Sequence, residues 1–247
     1  MKFTQSILAT ALLAGAGVAQ AELSANIGAA SNYYFRGITQ TGNEAAVSGG
    51  IDYAQESGFY AGTWMSNVNF GSSAPKANAE VDLYSGFGGD IGDTGLSYDL
   101  SAWYYWYPGA GGDAQGGNLD YAEASGSLGY GPVTGNIAYT LWNEGGDVNG
   151  TAVPFKEGDI WYSLAFEPDW NFEGFAPSAS IGYYDFDQDG VGNQDLNYTS
   201  WTVGVSKDAG DFGAFSMNYV QNNYDGNADA FWGSDSPGFW VGWSKGF

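Results

Sequence analysis

The chain has 247 residues, of which 17% are aromatic and 40 are glycine, and its formal net charge is −22. It contains no cysteine and no histidine, which excludes a disulfide framework, a thiol nucleophile and Ser-His catalysis. A negative charge of this size disfavours nucleic acid as a partner and favours cations, while the aromatic content argues against intrinsic disorder.

The N-terminal segment has the pattern of a secretory signal peptide. Lys2 is followed by an apolar stretch over 7–18 and by a small-x-small sequence over 19–21. The apolar stretch is too short to span a membrane, so it predicts a cleaved signal rather than an anchor. We expect residues 1–21 to be removed and residues 22–247 to form one domain.

After the signal, apolar and polar residues alternate in segments bounded by turn residues, which is the pattern of β-strands. Most of these segments are about 10–13 residues long, close to the length that a tilted strand needs to cross a membrane. The twelve predicted strands are 23–35, 44–54, 59–68, 78–88, 95–107, 118–130, 132–143, 158–167, 175–186, 196–207, 212–223 and 237–247.

The connections between these strands alternate strictly between short and long. Short turns are predicted over 55–58, 89–94, 131–132, 168–174 and 208–211. Longer loops are predicted over 37–43, 69–77, 108–117, 144–157, 187–195 and 224–236. This order is typical of a barrel with both chain ends on the periplasmic side. The predicted fold class is therefore all-β, a transmembrane up-and-down antiparallel β-barrel of about twelve strands.

The two faces of the strands differ in chemistry. One face is apolar, with Tyr33 and Phe35 continuing the face of the first strand, and we expect it to meet lipid. Aromatic residues near strand ends, such as Trp103 and Trp161, are expected to form interfacial girdles. The other face holds the carboxylates, which water in a lumen would solvate. The residues predicted to line the lumen and set its selectivity are Arg36, Glu44, Asp52, Glu80, Asp82, Asp99, Glu123 and Asp159.

Arg36 is the only arginine, and it is predicted at the mouth of the first strand on the polar face. It can bind an anionic group or set a constriction field against Glu44, Asp52 and Glu80. Alternatively, it forms a structural ion pair with a buried acid. Both interpretations stay open at this level.

An acidic segment in one of the long loops resembles the first half of a calcium-binding loop. Asp185, Asp187 and Asp189 are followed by Gly190, in the order D-x-D-x-D-G. The position that should supply a bidentate glutamate is Leu196, and no helix flanks the segment. A solvated acidic loop and a weak calcium site are the two interpretations.

The last segment resembles the closing strand of bacterial outer-membrane barrels. Phe239, Val241, Trp243 and Phe247 alternate along one face and end on a terminal aromatic residue. The resemblance implies that the barrel-assembly machinery recognises this strand. Lys245 departs from the apolar pattern, and its ammonium group can extend to the membrane interface.

Two N-terminal stretches, 31–41 and 50–64, resemble the opening of the TorF family, a group of proteobacterial porin-like proteins. The segments 80–84 and 104–109 are also similar to that family. The resemblance extends over the chain after the signal, and it implies an outer-membrane barrel without catalytic residues.

The predicted function is an outer-membrane porin of a Gram-negative bacterium, passing small solutes or cations through an acidic lumen. The expected partners are outer-membrane lipid and the barrel-assembly machinery, with no nucleic acid and no cofactor. The alternatives are a structural or adhesive barrel with a plugged lumen, and a secreted carbohydrate-binding β-sandwich. We do not expect an enzyme, because barrel lipases and proteases need a histidine. The solute and the oligomeric state stay open.

Overall fold

The computed structural model describes residues 22–70, 77–110, 118–144, 155–187, 196–224 and 237–247. Its strands, in chain order, are β1 (Glu22–Ala30), β2 (Tyr34–Phe35), β3 (Ile38–Thr39), β4 (Ala46–Ala54), β5 (Phe59–Asn67), β6 (Ala79–Asp90), β7 (Leu96–Trp106), β8 (Tyr121–Tyr130), β9 (Val133–Asn143), β10 (Ile160–Phe166), β11 (Phe175–Asp185), β12 (Tyr198–Asp208), β13 (Ala214–Tyr224) and β14 (Gly238–Gly246). No helix of the described residues is long and apolar enough to cross a membrane.

Twelve of these strands, β1 and β4 to β14, close into one antiparallel barrel. Each pairs with its neighbour in sequence, and β1 closes the ring by pairing with both β4 and β14. The predicted fold class is confirmed, and the β-sandwich alternative is wrong because the strands form a single closed sheet. Closure leaves no free edge strand. The backbone N–H and C=O groups of every strand can therefore form hydrogen bonds with a neighbouring strand inside the lipid bilayer.

The two ends of the barrel differ in the length of their connections. Five short connections, over 55–58, 91–95, 131–132, 167–174 and 209–213, lie at the end that also holds Glu22 and Phe247. We call this the short-turn end, and the opposite end the long-loop end. The turn at 131–132 needs only two residues because Gly131 has φ 54°.

The outer face of the barrel is a continuous apolar belt. Leu100, Leu128 and Ile137 are 62%, 58% and 54% exposed, although their neighbours along each strand point inwards. A soluble barrel would bury such residues or expose them singly. The belt is therefore the lipid-facing surface of a transmembrane barrel.

The first predicted strand is too long, and this error matters for the lumen. Strand β1 ends at Ala30, and residues 34–39 form the separate hairpin β2–β3. Tyr33 and Phe35 contact interior residues rather than lipid. Trp103 and Trp161 also pack against interior rings, so the prediction that they form girdles is wrong.

Candidate functional site: the barrel interior

The strand carboxylates of the predicted set lie inside the barrel, on the wall formed by β4 to β8. Asp52, Glu80, Asp82, Asp99 and Glu123 are all buried, because alternation along each strand turns them away from lipid. A carboxylate facing lipid would cost several kcal/mol, whereas an interior one can find donors.

Tyrosine hydroxyls are the principal donors to these carboxylates. The Glu80 Oε1 accepts from Tyr33 and its Oε2 from Tyr107, both at 2.7 Å. The Asp99 Oδ2 accepts from Tyr60 at 2.7 Å, and Asp52 accepts from Tyr84. Hydrogen bonds to an ionised acceptor are about twice as strong as neutral ones, so these pairs offset part of the cost of burial.

Asp82 differs from the other interior carboxylates. Its side chain is 1% exposed, and its Oδ1 has no hydrogen-bond partner among the described residues. It lies close enough to Glu80 and Glu123 for electrostatic interaction with both. The interior therefore holds a buried acceptor whose hydrogen-bonding capacity is not met.

The hairpin β2–β3 lies across the barrel interior near the long-loop end. Tyr33 contacts Trp64 of β5, and Phe35 contacts Tyr105 of β7. On the opposite wall, Tyr34 packs against Trp240 of β14 with a ring separation of 4.8 Å. Because the hairpin contacts strands on both sides, it crosses the lumen at this level.

The tip of the hairpin is a two-residue turn, Arg36 and Gly37, with φ angles of 48° and 87°. Both angles are positive, as in type I′ hairpin turns. The barrel wall fixes this tip, because Tyr198 donates to the Arg36 carbonyl at 2.9 Å and Asn222 donates to the Gly37 carbonyl at 2.8 Å.

The Arg36 side chain forms a bidentate ion pair with Glu123 of β8. Its Nη1 and Nη2 donate to the two carboxylate oxygens at 2.8 and 2.7 Å, and Nη1 also donates to the Tyr184 hydroxyl at 2.8 Å. Both side chains are buried, 10% and 1% exposed. The register between β8 and β9 shifts at Ala122 and Glu123, a bulge of the kind that re-aims side chains at functional sites.

Rings surround the Arg36–Glu123 pair. The Arg36 Cζ lies 4.6 Å from the Phe35 ring centre, 5.2 Å from Tyr184 and 5.6 Å from Trp161. The Glu123 Oε2 also accepts from Tyr105 at 3.2 Å. The structural interpretation of Arg36, an ion pair with a buried acid, is the arrangement observed, and the acid is Glu123 rather than Glu44, Asp52 or Glu80.

The remaining predicted lumen residues, Glu44 and Asp159, lie outside the barrel strands. Glu44 is exposed before β4, where its Oε2 accepts from Asn69 at 3.1 Å, so its predicted place on a strand is wrong. Asp159 is buried before β10 and accepts from the backbone N–H groups of Lys156 and Asp187 at 2.8 and 3.0 Å. Burial raises the pKa of Asp159 to about 6, and the two backbone donors oppose this rise.

The interior wall has a different composition towards the short-turn end. The wall formed by β11 to β13 presents small neutral groups there, including Ser178, Ser180, Thr202 and Asn218, and all four are half-buried. The strand carboxylates thus lie on the wall formed by β4 to β8, whereas these neutral hydroxyls and amides lie on the wall formed by β11 to β13.

The predicted calcium loop is described only in part. Asp185 ends β11 and Asp187 follows it, while Asp189 lies outside the described residues. Across the described ranges, no group of three or more acidic side chains is arranged to hold a metal ion. The backbone N–H of Asp187 donates to Asp159, which ties this loop to the mouth of the barrel.

The closing strand places its predicted residues on the outer face. Phe239 and Val241 of β14 are exposed in the belt, and Trp243 is half-buried with its Nε1 donating to the Phe212 carbonyl at 2.6 Å. Phe247 exchanges backbone hydrogen bonds with Ala25. The Lys245 Nζ donates to the Asp211 carbonyl at 2.7 Å, so its charge reaches the short-turn end as predicted.

Sequence reasoning missed the tyrosine partners and the hairpin across the lumen. The sequence does not distinguish the tyrosines that donate to carboxylates, because aromatic residues occur on both the inward and the outward faces of the alternating strands. Arg36–Gly37 is a recognisable turn dipeptide only when the strand before it is known to end early.

Two solved porin structures share this fold. A KdgM porin aligns with a TM-score of 0.51 and 6% identity over 91% of this chain and 98% of that one. A NanC porin aligns with a TM-score of 0.52 and 9% identity over 90% and 98%. At these identities the likeness concerns the fold alone.

No curated protein matches the chain with significance, and the comparisons do not confirm the TorF name, which stays a prediction. Residues 14–242 match the family described as a bacterial protein of unknown function, Gcw_chp. The chain therefore belongs to the Gcw_chp family.

Proposed function

We propose that the protein is an outer-membrane channel for small solutes whose acidic interior favours cations over anions. The observation that supports this most directly is the charge of the barrel wall. Five strand carboxylates, Asp52, Glu80, Asp82, Asp99 and Glu123, face inwards, and Arg36 forms the one ion pair among the described residues. In a narrow interior with low-dielectric walls, such a surplus of negative charge raises the local concentration of cations.

The hairpin β2–β3 is the closure of this channel. It crosses the lumen near the long-loop end, so the proposed solute passage requires the hairpin to leave its place between β5, β8 and β14. The same contacts favour the second candidate, a permanently plugged structural barrel. The two differ in one property: the channel opens, whereas the plugged barrel does not.

Solute flux into proteoliposomes separates these two candidates. We expect tetramethylammonium, a cation, to enter faster than acetate, an anion, and trehalose to enter slowly or not at all. Equal rates for protein-free and protein-containing vesicles with every solute would support the plugged barrel instead. Faster entry of acetate than of the cation would contradict the proposed selectivity.

A further inference from the structure

Arg36 lies in a pocket that has the composition of a binding site for a cationic group. The wall supplies a carboxylate, Glu123, for two parallel hydrogen bonds, and a hydroxyl, Tyr184, for a third. Rings of Tyr184 and Trp161 lie within cation–π range of the guanidinium. We call Glu123, Tyr105, Tyr184 and Trp161 the cation pocket.

The pocket belongs to the closed barrel, whereas its occupant belongs to a hairpin outside the barrel sheet. The pocket residues come from β7, β8, β10 and β11, which pair along their length with their neighbours. Strands β2 and β3 pair only with each other, over two residues each. The guanidinium can therefore leave with the hairpin while the pocket stays formed.

The backbone of Arg36 also points to a displaceable occupant. A left-handed conformation is unfavourable for a residue with a side chain, and a turn of this type favours asparagine before glycine. Arginine at φ 48° is held there by its side chain and by the hydrogen bond from Tyr198. The turn itself does not favour arginine at this position. The contacts of the side chain with the pocket do.

The negative charge around the pocket exceeds what Arg36 neutralises. Asp82 interacts electrostatically with both Glu80 and Glu123, and its buried Oδ1 has no hydrogen-bond partner among the described residues. A cationic solute at this level would meet more than one carboxylate. The neighbourhood thus favours a second positive group beyond the one that the chain supplies.

We propose that the cation pocket is a subsite for solutes that bear a guanidinium or ammonium group, and that Arg36 is a tethered occupant which these solutes displace. The proposal rests on the proposed channel function, since it names the solute class that the acidic lumen would pass. Displacement of Arg36 would free the hairpin, so solute binding and opening would be linked.

The direct test uses purified protein in detergent, methylguanidine as the probe and methylurea as its neutral isostere. Arg36→Asn removes the occupant and keeps a residue suited to the turn. We expect this variant to bind methylguanidine with a Kd on the order of 1 mM, as a ligand of this size permits, and methylurea not at all. The unmodified chain should bind methylguanidine at least about tenfold more weakly, because the tethered guanidinium competes.

Matched glutamate variants locate the binding. Adding Glu123→Gln to Arg36→Asn should abolish methylguanidine binding, whereas adding Glu56→Gln, the same change at an exposed turn residue, should leave it intact. The proposal is overturned if Arg36→Asn binds methylguanidine no better than the unmodified chain does, or if the Glu123→Gln double variant binds equally well.

A second test needs no variant, because the chain contains one arginine. An arginine-specific protease can cut the unmodified protein only after Arg36, which is buried in the pocket. Methylguanidine should accelerate this cut and methylurea should not, with an unfolded sample as the control for effects on the protease. A cut that methylguanidine does not accelerate would contradict displacement.

These outcomes are separate from those of the channel proposal. Binding and cleavage are measured without any current or flux, so a barrel that passes no solute can still have the cation pocket. Conversely, a cation-selective channel in which methylguanidine neither binds Arg36→Asn nor exposes Arg36 keeps its proposed function and loses this subsite.

Discussion

Tyrosine hydroxyls and one guanidinium satisfy most of the carboxylates buried in the barrel. Glu80 receives two tyrosine hydroxyls, and Glu123 receives Arg36 together with Tyr105. A buried ion pair is weak evidence for stability as such, but removing one partner leaves an uncompensated charge. Replacing only one partner of such a pair should therefore lower the free energy of unfolding.

Glu123→Gln should lower the free energy of unfolding by about 3 kcal/mol, because Arg36 then stays buried without its counter-charge. Urea unfolding in liposomes, followed by tryptophan fluorescence, measures this loss. Combining Glu123→Gln with Arg36→Asn should cost less than the sum of the single changes, while Glu56→Gln should change stability by less than about 0.5 kcal/mol. Strict additivity of the two interior changes would mean that the ion pair does not couple them.

Asp159 makes stability depend on pH in a defined direction. Its pKa of about 6 in the folded protein exceeds the ordinary aspartate value, so between pH 4 and pH 6 the folded protein binds the proton more often than the unfolded chain does. Protonation thus favours folding, and the free energy of unfolding should decrease as the pH rises through this window. Asp159→Asn should remove this part of the decrease, and an unchanged pH profile in the variant would contradict the assignment.

At the scale of elements, the hairpin β2–β3 is the part of the fold that sequence alternation did not predict. Residues 31–35 alternate as well as any strand, and the sequence therefore predicts that they continue β1. They leave the barrel because Gly37 permits a tight turn and because the interior offers ring and hydrogen-bond partners to Tyr33, Phe35 and Arg36. These partners belong to strands that are distant in sequence, so the local hydrophobic periodicity cannot predict the contacts.

Gly37→Ala should expel the hairpin and increase single-channel conductance. A methyl group there would clash with the Ser200 Oγ and the Asn222 Oδ1, in addition to the strain of φ 87°. Gly109→Ala is the matched control, because its φ is 81° and none of the described residues lies within 4 Å of the added carbon. If both variants conduct like the unmodified protein, the hairpin does not close the channel.

At the scale of the whole molecule, the barrel was predictable from sequence because lipid and lumen impose opposite chemistry on alternate residues. Strand bounds such as 59–68 and 175–186 agree within one residue with β5 and β11. The same alternation also predicts that the carboxylates on the strands face the barrel interior. The alternation did not predict whether the interior is open or filled. That depends on residues between the barrel strands, which have no hydrophobic periodicity from which their position could be predicted.

The lipid-facing belt should tolerate charge only near its edges. Leu100→Lys places an ammonium group in the belt and should destabilise the folded barrel by about 2–4 kcal/mol if it lies near the membrane midplane. The native Lys245 is accommodated because its Nζ reaches a turn carbonyl. Refolding into vesicles measures the difference, and an unaffected Leu100→Lys variant would contradict the assignment of this face to lipid.

The reversal potential of the reconstituted protein under a salt gradient tests the central claim most directly. With potassium chloride on both sides, the channel should show cation preference, strongest at low salt where screening is weak. Replacing Glu80 with Gln and Asp82 with Asn should reduce that preference while the heat-modifiable mobility of the folded barrel stays the same. A reversal potential that indicates anion preference, or one that does not respond to these two substitutions, would contradict an acidic, cation-favouring lumen.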